Sequence, residues 1–164
     1  MSATAVIGHR AHEKPRTRES AMNLYDQDFV QWTAETARRL RAQGSIEEAD
    51  IEHVAEEIED MGKRDQREAI NRTVVILVHL LKCRYQPDRR TSSWDGSIVE
   101  QRSALEGVFE QSPSLRRYVE EKWSRVCLLA IRQAQREVDP KGLFPKIEDC
   151  PFTFAQAVDP DFWP

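Results

Sequence analysis

Thr73-Val74-Val75-Ile76-Leu77-Val78-His79-Leu80-Leu81 is the one strongly apolar run in the chain, and Lys82-Cys83-Arg84-Tyr85-Gln86-Pro87-Asp88-Arg89-Arg90 follows it at once. The run carries apolar residues on nearly every side at helical spacing. A helix that is apolar all round belongs in the middle of a bundle, not on its surface. The run therefore marks the core, with Val74, Ile76, Leu77, Leu80 and Leu81 expected to be buried. Pro87 ends the helix, because proline lacks an N–H and disfavours helical geometry in the residue before it.

Working outward, the same periodicity predicts an all-α single helical bundle of about five helices with a proline- and aromatic-rich C-terminal wrap. A first helix is expected from about Leu24 to Gln43, with Leu24, Tyr25, Phe29, Trp32, Ala37 and Leu40 on its inner face and Gly44 as its stop. Asp50 is expected to cap a second helix with the inward stripe Ile51, Val54, Ala55, Ile58 and Met61. Gly62 either ends that helix or interrupts a longer one, since a lone helical glycine costs only ~1 kcal/mol. The core helix is expected from about Arg64 to Tyr85. A fourth follows from Trp94 to Gln111, after the cap Thr91-Ser92-Ser93. A fifth is expected after Ser112-Pro113 and runs to about Val138, with Leu115, Tyr118, Val119, Trp123, Val126, Leu129 and Ala130 inward. The last segment holds Phe144, Phe152, Phe154, Phe162 and Trp163 among five prolines, and Thr153 is placed to cap a short helix. Residues 1 to 21 are polar and aperiodic and read as a disordered tail. Residues 22 to 164 read as one domain, in keeping with a length of 164 residues.

Composition narrows the function classes. The net charge of -4 gives no field of the kind that attracts nucleic acid. The charge is uneven: Ser45 to Gly62 holds eight acids and no Lys or Arg, whereas Lys82 to Arg90 holds four basic residues and one acid. Cys83, Cys127 and Cys150 are widely spaced, which argues against a disulfide framework and against a zinc site. No window approaches ~18 apolar residues and no signal peptide is apparent, so a cytoplasmic protein without a membrane span is expected.

Candidate chemistry is sparse. His53, Glu56, Glu57 and Asp60 fall within a ~100° arc of a helix, and helical bundles with two iron or manganese ions use Glu and Glu-x-x-His. Here the arc lies opposite the apolar stripe, so it is expected in solvent, with no metal and no cofactor bound. His79 sits inside the apolar run and must be hydrogen-bonded if buried. Lys82 lies one turn later and can pair with Glu57 or Asp60. With His79 or Arg102 nearby these groups are expected to form one network, provided the chain turns back near Gly62. Arg84, Tyr85, Arg89, Arg90 and Trp94 mix cations with rings, a combination that can grip phosphate and stack bases. No Gly-rich phosphate loop and no hydrolase or metalloprotease signature is present.

The order of motifs resembles a bacterial family of uncharacterised proteins, the twenty-ninth in the series of domains of unknown function. The residues carrying the resemblance begin with Leu24-Tyr25-Asp26-Gln27-Asp28-Phe29 and Glu56-Glu57-Ile58-Glu59-Asp60-Met61-Gly62. They continue through His79-Leu80-Leu81-Lys82, Tyr85-Gln86-Pro87, Arg89, Ser93-Trp94, Ile98-Val99-Glu100-Gln101-Arg102 and Ser112-Pro113-Ser114-Leu115. They close with Cys150-Pro151-Phe152 and Asp161-Phe162-Trp163-Pro164. The resemblance implies one family domain from about Leu24 to Pro164 and brings no activity, substrate or cofactor. It marks Glu56, Glu57, Asp60, His79, Lys82, Arg89 and Arg102 as parts of a pattern. Cys83 departs from that pattern, which often has a ring there.

The leading expectation is a non-enzymatic binding or protein-interaction module, with another protein or a second copy of the chain as partner. The candidate binding residues are Glu56, Glu57, Asp60, His79, Lys82, Arg89, Trp94 and Arg102. Two rivals stand beside it: a helical-bundle enzyme or metal protein using Glu57, Asp60, His79 and Lys82, and a small nucleic-acid binder using Arg84 to Trp94.

Overall fold

In a computed structural model of the chain, residues 24–43, 48–138 and 149–164 are described. The tail at 1–21, the stop at Gly44 and the wrap residues Pro140, Phe144 and Pro145 lie outside them. After a helical turn at residues 24–27 come α1 (Phe29–Gln43), α2 (Glu48–Tyr85), a 3-10 turn (Pro87–Arg89) and α3 (Ser92–Gln111). Then follow α4 (Ser114–Glu121), α5 (Trp123–Val138) and α6 (Phe154–Val158). Among the described residues there is no strand. The all-α expectation holds.

The core run does what its pattern dictates. Ile76, Leu77, Leu80 and Leu81 are fully buried and Val74 nearly so. Each such side chain contributes roughly 1.5–3 kcal/mol relative to exposure. Around them pack Ile98, Leu105 and Phe109 of α3, Leu115 and Val119 of α4, and Val126, Ala130 and Ile131 of α5. Phe152, Phe154 and Ala157 of the C-terminal segment close the cluster. α3 runs antiparallel to α2: Arg72 meets Gln101 at 3.0 Å, and Lys82 lies over Trp94.

The chain does not turn at Gly62. α2 is one helix of 38 residues, roughly 57 Å long at 1.5 Å per residue. The second and third expected helices are therefore one, and Asp50 lies inside it rather than capping it. Gly62 answers a different need. A Cβ there would stand 2.4 Å from Thr33 Oγ1, closer than any non-bonded contact allows. So Gly62 lets α1 approach α2. The buried Thr33 hydroxyl donates to the Val30 carbonyl at 2.8 Å, which keeps that crossing free of an unpaired polar group. α1 runs back along the first half of α2, and Arg41 at its far end pairs with Glu52 and Glu59. The result is an α1–α2 arm continuous with the bundle.

Several side chains face other ways than expected. On α1, Val30, Thr33 and Ala37 are the buried residues. Tyr25 is exposed; it meets Phe29 and Trp32 edge-on while those two rings stack, with ring centres 4.9 to 5.9 Å apart, a surface cluster beside the inner face. Val54 and Met61 on α2 and Leu129 on α5 are exposed too. The physical reason on α2 is that one narrow helix, α1, covers this half, so only Ile51, Ala55 and Gly62 are shielded. The expected fifth helix is two, broken at Lys122, whose N–H reaches the Tyr118, Val119 and Glu120 carbonyls. No proline or glycine marks that break.

Asp28 ties two helix starts together. Its carboxylate accepts from the Gln31 N–H at 2.8 Å, capping α1, and from the Ser114 N–H at 2.7 Å and hydroxyl at 3.0 Å at the start of α4. In return the buried Ser112 hydroxyl accepts from the Val30 N–H at 3.3 Å. A carboxylate at the positive ends of two helices meets their unpaired N–H groups and their dipoles at once.

Candidate functional site

The continuous α2 separates the expected network. Asp60 and His79 are 19 positions apart on one helix, roughly 28 Å, and Glu57 and Lys82 are further apart still. The network of Glu57, Asp60, His79 and Lys82 does not exist. Its acids have other neighbours. Asp60 accepts from Lys63 at 2.8 Å, which holds its carboxyl below the usual range. Glu59 is lowered by Arg41. Glu56, Glu57 and His53 are exposed on the arm. Among the described residues, no group of three or more His, Cys, Asp or Glu is placed to hold a metal ion.

His79, Lys82 and Trp94 do come together, with a partner the sequence did not single out. The Lys82 ammonium lies 4.6 Å from the centre of the Trp94 ring and donates to Glu137 of α5 at 3.3 Å. One cation thus joins α2, α3 and α5. Burial first, then the Lys82 charge, pushes the His79 imidazole below its ordinary range, against an opposing pull from Glu137. Burial pushes the Glu137 carboxyl up, but hydrogen bonds from Gln133 and Lys82 outweigh it and the net shift is down. His79 Nδ1 is buried without a hydrogen-bond partner among the described residues. A neutral imidazole held against an ion pair can bear the cost of that orphan; an imidazolium would add a second positive charge beside Lys82.

The basic and aromatic residues after the core helix interleave at the same end. Arg84 lies over Phe152, and Arg90 lies 5.0 Å from the Trp163 ring centre while pairing with Asp95 at 2.8 Å. Arg89 is exposed on the 3-10 turn. Arg84 and Arg90 fasten the C-terminal segment to the bundle.

Arg102 is the strongest of these fastenings. It is 6% exposed and makes no salt bridge among the described residues. Its guanidinium donates to four backbone carbonyls: Ala157 at 2.9 Å, Phe162 at 3.0 Å, Gln156 at 3.2 Å and Pro160 at 3.4 Å. Those carbonyls lie at and beyond the C-terminal end of α6, where helix carbonyls lack partners. The N-terminal end of α6 carries the expected Thr153 cap, completed by Gln156 into a capping box. Burial lowers the Arg102 pKa against the pull of Asp159, and the group stays charged.

Arg102 also forms part of the floor of a groove that sequence reasoning missed. The cavity has a volume of about 450 Å³ and runs between one face of α3, the start of α4 and the C-terminal segment. Val99, Leu105, Phe109, Pro113, Val158 and Pro160 give it apolar walls. Arg116 lies over the rings of Phe109 and Phe154 at 5.7 and 5.6 Å. Glu106 and Glu110 line it as well. None of these three charges has a hydrogen bond or ion pair among the described residues. The available signal was the spacing of Val99, Glu106, Phe109 and Glu110 on one face of a helix, but a lined face looks the same whether it is covered or open.

An all-helical domain is the class these features define. The sequence matches the domain of unknown function DUF29 over residues 24–163, and the chain belongs to that family. The fold is similar to the crystal structure of an alpha-helical protein of unknown function from Rhodospirillum rubrum ATCC 11170. That likeness has 25% sequence identity and a TM-score of 0.66, covering 84% of this chain and 90% of that one. No curated protein matches the chain significantly. No helix among the described residues is long and apolar enough to cross a membrane.

Proposed function

We propose that the chain is a non-enzymatic binding module for a protein segment, and that the segment lies in the groove between α3 and the C-terminal wrap. The supporting observation is the groove itself: apolar walls open to solvent, rimmed by Glu106, Glu110 and Arg116, whose charges have no ion pair among the described residues. Binding sites combine apolar walls with a few polar groups that fix orientation. The floor accepts apolar anchors of the partner. The two acids select a basic residue beside them, and Arg116, already stacked on two rings, accepts a carboxylate or a backbone carbonyl. Such unpaired charges set register and exclude wrong partners more than they add affinity. The polar residues of the family pattern speak for the same reading. Arg102 and Lys82 are engaged in holding helices together, and Glu56, Glu57 and Asp60 stand apart from them. A bacterial, cytoplasmic setting goes with this reading, and the three free thiols support it.

Selection of a random peptide library on the immobilised protein tests the proposal. Peptides that combine apolar anchors with a basic residue should be enriched. Their binding should weaken at least tenfold on Val99→Asp, a change at a 57% exposed position, and on Glu106→Lys. Enrichment of peptides indifferent to both changes, or no enrichment, would refute it.

A further inference from the structure

We propose that an open furrow along the middle of α2 binds a small ligand carrying two or more linked phosphate groups. Two adjoining cavities make the furrow. One, of about 370 Å³, lies between α2 and α5 and is walled by Val74, Leu129, Arg132, Gln133 and Arg136. The other, of about 470 Å³, lies on the α3 side of α2 and is walled by Arg64, Arg67, Glu68, Arg72 and Gln101. Asn71 lines both, so the cavities meet at its side chain. Arg64, Arg67 and Asn71 follow one another at intervals of three and four residues, which sets them on one face of the helix. Each volume falls in the range of small-molecule pockets, roughly 300–1,000 Å³. The furrow shares no residue with the apolar groove.

The charges of the furrow select phosphate. Five guanidinium groups line it against one carboxylate, in a chain whose net charge is -4. That carboxylate, Glu68, is already held by Arg72 through two hydrogen bonds of 2.8 and 2.9 Å, and Arg72 also donates to Gln101 at 3.0 Å. Arg64 has a 3.7 Å approach to Asp65. Arg67, Arg132 and Arg136 make no hydrogen bond or ion pair among the described residues. Other surface arginines differ: Arg39, Arg41, Arg90 and Arg117 each face a carboxylate. Arg132 and Arg136 also stand one turn apart on α5, a like-charge spacing that weakens a helix unless an anion offsets it. A phosphate group presents several oxygens and more than one negative charge, so a single group can engage both forks. A second, linked group reaches Arg67 and Arg64 across Asn71, whose amide donates between them. Like charges gathered in a concave site also raise the local concentration of the anion.

The test titrates the full chain with inorganic tripolyphosphate at low salt, followed by isothermal titration calorimetry. One tripolyphosphate should bind per chain. Orthophosphate should bind at least tenfold more weakly, because a single group cannot span both cavities. Arg132→Ala combined with Arg136→Ala should weaken tripolyphosphate at least tenfold, and so should Asn71→Asp. All three side chains are exposed, so the far-UV circular dichroism of these variants should match the parent. Arg117→Ala removes the same charge from a residue that lines neither cavity and should bind as the parent does. Adenosine triphosphate separates the two sources of this chemistry. Tighter binding than tripolyphosphate assigns the site to a nucleoside polyphosphate, and equal or weaker binding to an inorganic chain. No binding of tripolyphosphate at millimolar concentration would overturn the proposal. So would equal affinity for orthophosphate, an equal loss in Arg117→Ala, or binding of an oligonucleotide alone.

Discussion

Replacing Arg102 with methionine should detach the C-terminal segment without dissolving the bundle. The substitution keeps most of the aliphatic volume and removes every donor. Hydrogen bonds from a charged group contribute about 1.5–3 kcal/mol each in net terms, and Arg102 makes four. That gross sum overstates the loss. The guanidinium pays several kcal/mol of desolvation that methionine does not, and only the bond to Ala157 is fully buried, so three of the four carbonyls recover water. The balance is a loss of about 2–4 kcal/mol, weighted towards the orphaned Ala157 carbonyl. Urea unfolding followed by far-UV circular dichroism measures it. Limited proteolysis locates it, since cleavage should appear first around Val158 to Phe162. Arg102→Lys should recover only part of the loss, because one ammonium cannot span four carbonyls. A change below about 0.5 kcal/mol, the range of ordinary surface substitutions, or full recovery by lysine, would refute the view that the guanidinium fork holds the segment.

Leu77→Ala should cost about 2–5 kcal/mol in the same urea assay, as a full cavity in the core; an unchanged midpoint would remove α2 from the centre of the fold. Gly62→Ala should destabilise by about 1–3 kcal/mol through overpacking against Thr33, and the double change with Thr33→Ala should restore most of it, measured as a double-mutant cycle; simple additivity would refute the contact. His79 is neutral in the folded state because its pKa is depressed from 6.5. The unfolded chain then binds more protons, so the stability His79 confers is present above about pH 6.5 and lost as pH falls through its folded pKa. Urea midpoints between pH 7.5 and 5 should fall more in the parent than in His79→Gln; parallel curves would show no linkage.

How much of this was legible follows from what each signal measures. Thr73 to Leu81 disclosed the core because all-round apolarity has no other stable use. Thr153 disclosed α6 because a cap is a local bond. Val54, Met61 and Leu129 misled because periodicity tells which residues share a face, not whether a neighbour covers it. Gly62 was ambiguous because flexibility and close approach ask for the same residue, and the site expected of Glu57, Asp60, His79 and Lys82 rested on the wrong choice. Asp28, three positions before Gln31, carried a capping signature inside a helix drawn too early, from Leu24. Its second role at Ser114 is long-range, as is the pairing of Lys82 with Glu137, and no local pattern encodes those.

The unbroken α2 also decides how the molecule can come apart. One hydrogen-bond ladder serves both the arm and the bundle, so no linker separates them. Cutting the chain near Gly62 would leave α1 without its partner strip and the bundle with a frayed central helix. Yet a helix can melt from its end residue by residue, and the arm half is covered by α1 alone. The melting front can therefore travel from Glu48 inward and halt by Ala69, where α2 enters the core cluster. The family fold in this chain thus combines a cooperative block with a helix end that opens by degrees.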